Sequence, residues 1–69
     1  MKLSARNMLA GTVVGIDEGA VNSTVRIELA GGEVVTAMIT NAAVRDLGLE
    51  AGKPAYAVIK ASDVLVAVD

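Results

Sequence analysis

Sixty-nine residues allow one domain, near the lower limit of what folds alone. With no cysteine and no histidine, neither a disulfide nor a usual structural zinc site is available to staple it. Hydrophobic residues make up 54% of the chain yet Tyr56 is the sole aromatic, and the formal net charge is −2; this excludes the basic stripe and stacking platform of a general nucleic-acid binder, but not a small anion, whose pocket depends on local donors.

So much Ala, Val, Leu and Ile is more apolar surface than a lone domain of this size hides, which predicts an obligate homo-oligomer. No run approaches the roughly 18 uninterrupted apolar residues of a membrane span. Met1 to Asn7 carries basic residues without an apolar segment behind them, so no secretory signal and no membrane partner are expected, and the cytoplasm is the expected location.

Residues 1–69 read as a single domain of short segments divided by turns. Gly11 to Glu18 is β-branched and bounded by Gly19, a first strand. Val21 to Leu29 alternates cleanly: Val21, Ser23, Val25, Ile27 and Leu29 share one face, and Asn22, Thr24, Arg26 and Glu28 the other. That period predicts a strand with one buried and one solvated face. Ala30-Gly31-Gly32-Glu33 is a tight hairpin turn, and Val34 to Ile39 is the return strand, apolar on both faces and so expected to be covered on both.

Thr40 or Asn41 can N-cap a helical turn or two over Ala42 to Leu47, with Gly48 as its left-handed stop. Val44 and Leu47 would plug one end of a sheet. After the turn at Glu50 to Pro54, Ala55 to Lys60 is a fourth strand and Asp63 to Val68 a fifth, with Ser62 in the break. The predicted fold is therefore mainly β: a five-stranded, OB-like Greek-key barrel with one short helix between strands 3 and 4.

Catalysis is not expected. The commonest general base and the strongest side-chain nucleophile are both missing, and the carboxylates fall at turns or on the solvated strand face, where surface charge explains them. The glycines form neither a Walker loop nor a dinucleotide fingerprint. Two polar clusters remain: Ser4-Ala5-Arg6-Asn7 before the first strand, and Lys60-Ala61-Ser62 between the last two. Each joins a cation, a hydroxyl and turn N–H groups, the donor set that suits a tetrahedral dianion. Taken singly, turn capping by Ser4 and Asn7 and solvation of Arg6 and Lys60 account for them as well; spacing alone does not assign a ligand.

The chain resembles the molbindins, small molybdate-binding proteins built on a single TOBE-type module. The matching pieces are Ser4-Ala5-Arg6-Asn7 leading into Gly11-Thr12-Val13-Val14, then Gly19-Ala20-Val21-Asn22, the Gly31-Gly32 hairpin and Ile39-Thr40. They continue with Leu47-Gly48-Leu49, Gly52-Lys53 and Ala57-Val58-Ile59-Lys60-Ala61-Ser62, so the resemblance spans essentially the whole chain. The opening tetrapeptide combined with Val-Ile-Lys-Ala downstream is the specific part.

What the resemblance implies is a homohexamer, a trimer of dimers, holding molybdate non-covalently at subunit interfaces for intracellular molybdenum storage and homeostasis. Tungstate would substitute, and neither an organic cofactor nor a direct protein–metal ligand is implied. One subunit would supply Ser4, Arg6, Lys60 and backbone around Ala61 and Ser62. Its partner would supply Thr40 and Ala43, at a helix start that favours anions. Some relatives have serine at the position of Ala43, where only the backbone N–H is available here. A second site around the three-fold axis would map to Ala20, Val21 and Asn22. The alternative role is a molybdate-responsive interaction module acting on a partner protein.

Overall fold

The computed structural model describes residues 1–69. It has four strands, β1 (Asn7–Glu18), β2 (Asn22–Leu29), β3 (Val34–Thr40) and β4 (Pro54–Ile59), with a helix α1 (Asn41–Leu47) between β3 and β4. All pair antiparallel in one sheet of order β3-β2-β1-β4. β1 is the spine. Its first half, Asn7 to Thr12, pairs with β4, and its second, Gly11 to Glu18, with β2. A bulge between Val13 and Gly15 bends it, as an extra residue in one strand does, and the sheet curls into an open half-barrel.

β2 obeys its alternation. Ser23, Val25 and Ile27 are buried, and with Val13 of β1 and Ala57 of β4 they are the only buried residues in the chain. Ile16, Leu29, Val35, Ile39, Val44, Leu49 and Ala55 pack around this centre without being sealed by it. Five buried residues out of 69 is a small core, of a size that rarely sustains a domain unaided. The β2–β3 hairpin turns at Ala30 to Gly32, closed by Leu29 N–H to the Glu33 carbonyl at 2.7 Å.

Helix α1 begins where its cap predicts. Thr40 keeps extended backbone and its Oγ1 accepts from Ala43 N–H at 3.0 Å. Gly48, at φ 63°, ends it in the left-handed region, where a side chain would be strained.

Four expectations are corrected. The first strand starts at Asn7 rather than Gly11, because Asn7 to Ala10 find a partner in β4 that local pattern does not disclose. β3 has only one covered face: Val35, Ala37 and Ile39 are half-buried, while Val34 and Met38 lie open, Met38 at 71%. The fifth strand is not formed. Ala61–Asp63 makes a 3-10 turn, and from Val64 onward the chain forms no strand, so the barrel is not closed. Leu47 also stays exposed, leaving Val44 alone to pack under the sheet.

Candidate oxyanion-binding site

The register decides which of the polar residues meet. Asn7 opens β1 opposite Ile59, the last residue of β4, and its Nδ2 donates to the Ile59 carbonyl at 3.2 Å. Arg6 precedes the first member of this pair and Lys60 follows the second. Because the strands are antiparallel, the two cations therefore leave the sheet side by side at one end. Ser4 lies two residues before Arg6 and Ser62 two after Lys60. Both predicted clusters thus share one exposed edge of the molecule.

No carboxylate neutralises that edge. The ion pairs are Arg26–Asp17 at 2.6 Å, Arg45–Glu18 at 4.0 Å and Lys53–Glu50 at 3.5 Å; Arg6 and Lys60 belong to none. Asp63, the nearest acid in sequence, pairs with neither and uses its backbone N–H on the Lys60 carbonyl at 2.9 Å. Like charges brought near each other repel, and an anion between these two would relieve that repulsion. The 3-10 turn's own bonds are donated by Asp63 and Val64. They leave the N–H groups of Ala61 and Ser62, the first donors of the turn, out of its ladder.

Thr40 and Ala43 lie at the other end. Thr40 pairs with Asn22, beyond the far terminus of β1 from Asn7. One chain therefore does not bring Thr40 to Arg6. Ala43 N–H is also spent on Thr40 Oγ1, so at this end it is the Thr40 hydroxyl proton that remains to be donated. Ala20 and Val21 lie in the exposed β1–β2 turn at the same end, and Asn22 opens β2 beside them. Asn41 laces it to the helix: Asn41 N–H donates to the Val21 carbonyl at 2.8 Å, and Nδ2 to the Gly19 carbonyl at 2.9 Å. Its Oδ1 accepts from the buried Ser23 hydroxyl at 2.6 Å. The charges at this end are paired or acidic, so only neutral donors serve there.

Asn41 and Ser23 were not singled out from the sequence as positioning residues. The available signal was Ser23 itself, a polar side chain in register with the apolar face of β2.

The TOBE domain family model matches residues 3–66. The chain belongs to the TOBE-domain family. It is thereby a binding protein rather than an enzyme. A probable molybdenum-pterin-binding protein of Haemophilus influenzae is 52% identical over 69 residues, covering all of both chains. Among solved structures, the molybdate-binding protein of Sporomusa ovata superposes with a TM-score of 0.92 at 35% identity, over 99% of this chain and 100% of that one. The molybdate-bound form of ModG, described as a cytoplasmic molybdate-binding protein, gives 0.91 at 54% identity over 94% of this chain and 46% of its own. Such likeness gives the present chain the curled-sheet fold of these proteins. No helix in it is long and apolar enough to cross a membrane.

Proposed function

We propose that this protein binds molybdate non-covalently at sites between copies of itself, as an intracellular store that fills when the oxyanion is plentiful and empties when it is scarce. The observation that carries the reading is that Arg6 and Lys60, both without an ion-pair partner, adjoin the Asn7–Ile59 pair that ends the β1–β4 ladder, with Ser4 and Ser62 two residues further out. That end offers donors and positive charge without acceptors, as a fully ionised tetrahedral dianion requires. The names of the relatives supply the ion. The cage is finished by the partner subunit's Thr40, through its hydroxyl, and by the partner subunit's Ala43, which holds that hydroxyl in place. The assembly is a hexamer, a trimer of dimers. Ala20, Val21 and Asn22 form a second, uncharged site where three copies meet.

Charge-assisted hydrogen bonds contribute about 1.5–3 kcal/mol each, so a few of them support roughly micromolar binding after the cost of association. Tungstate, nearly the same in size and charge, substitutes freely. Sulfate is smaller and leaves some donors long, and protonated phosphate turns an O–H toward a donor-only site. Calorimetric titration of the assembled protein tests this: saturable heat with molybdate and tungstate and at least about tenfold weaker binding of sulfate are expected, and no heat with molybdate would overturn it.

A further inference from the structure

Ser23 is the one polar side chain among the five buried residues, 1% exposed and in step with Val25 and Ile27 on the apolar face of β2. A hydroxyl there is costly unless it is bonded, and packing gives no reason for one. The bond it makes is to Asn41, the first residue of α1: the hydroxyl donates to Oδ1 at 2.6 Å. On the other side of the same amide, Nδ2 donates to the Gly19 carbonyl at 2.9 Å. These two bonds fix which way the amide faces. Turned over, it would set Oδ1 against the Gly19 carbonyl, acceptor against acceptor.

The amide holds the end of the molecule where Thr40 and the β1–β2 turn lie. Helix α1 has seven residues and none of them is buried; Val44 packs against the core, while Leu47 lies open. So short a helix with so little apolar anchoring does not fix its own orientation. Asn41 fixes it. Its backbone N–H reaches the Val21 carbonyl at 2.8 Å and its amide the Gly19 carbonyl, so it grips the turn on either side of Ala20. Gly19 N–H closes that turn on the Asn22 carbonyl at 2.8 Å. The Thr40 hydroxyl is aimed by the Ala43 N–H that it accepts at 3.0 Å, and Ala43 stands where Asn41 seats the helix.

We propose that Ser23 is a positioning residue for oxyanion binding: from inside the core it orients the Asn41 amide, which in turn aims the Thr40 hydroxyl and sets the shape of the β1–β2 turn. Ser23 thereby joins the site proposed above, on which its role rests, from behind the donors and out of contact with the anion. Donors already held in place bind more tightly than the same donors free to swing, because their ordering does not have to accompany ligand binding. A serine in an otherwise apolar register is explained by this use and not by the packing of the sheet.

The test is calorimetric titration of the assembled full chain with molybdate, beside particle mass by native mass spectrometry and the denaturant midpoint. Ser23→Ala is expected to bind about five- to tenfold more weakly. Its mass should be that of the unaltered protein and its midpoint close to it, because water reaches the half-buried Asn41 oxygen that the change leaves bare. In an Asn41→Ala background the same change should cost no further affinity, since the residue through which Ser23 acts is gone. Full affinity in Ser23→Ala, whether or not the midpoint falls, would overturn the role of Ser23 and leave the molybdate site standing. So would an equal further loss in the Asn41→Ala background. No binding by the unaltered chain would overturn both. Should Ser23→Ala not assemble, the Asn41 side-chain amide resonances of the isotope-labelled unaltered protein decide: they are expected to shift as molybdate saturates, and resonances that stay in place would overturn the proposal.

Discussion

Gly11 is the residue at which β1 serves two partners at once, facing Leu29 of β2 and Ala55 of β4. A Cβ built there would lie 2.5 Å from the Glu28 carbonyl oxygen and 2.7 Å from Ile27 Cγ2. The first of these is backbone and cannot swing aside. Gly11→Ala is therefore expected to cost about 1–3 kcal/mol, as overpacking does, and to lower the Tm measured at matched protein concentration by at least about 4 °C. An unchanged Tm would show that β1 and β2 separate at no cost. The polar residues of the site obey a similar logic of position. Arg6 and Lys60 are unremarkable in sequence, and acquire meaning only because the Asn7–Ile59 pair sets them beside one another. Ser4 and Ser62 follow from the same register.

At the scale of elements, what could be read locally was read well. β2 announces itself by strict alternation, and α1 by the Thr40 cap and the Gly48 stop, each a matter of a few adjacent residues. What escaped depends on distant chain. Nothing in Asn7 to Ala10 foretells β4, and nothing in Asp63 to Val68 says that its β-branched pattern lacks a partner in the same molecule. The two-sided apolar pattern of β3 misled: it predicts cover on both faces, and Val34 and Met38 lie open. Asn41 is the device that fastens α1 to the β1–β2 turn through three hydrogen bonds. Asn41→Ala keeps the backbone bond, cuts both side-chain bonds and leaves the buried Ser23 hydroxyl unpaired. A loss of about 1–3 kcal/mol in denaturant unfolding is expected, and no change would remove Asn41 from the account.

For the whole molecule, a minimal core, exposed large apolar residues and polar clusters at opposite ends of β1 are the features that the proposed self-association would account for. In the proposed assembly, self-association would cover the apolar surface and would also bring Thr40 to Arg6 and Lys60, which one chain holds apart. Ligand binding and assembly are then coupled: an anion held between subunits stabilises the assembled state in proportion to its occupancy.

The measurement that bears most directly on this is molybdate titration of Arg6→Ala and of Lys60→Ala, with particle mass recorded for each. Each variant loses a charge-assisted donor, so binding about ten- to a hundredfold weaker is expected, at the mass of the unaltered protein. Full affinity in both variants would contradict the site at its root.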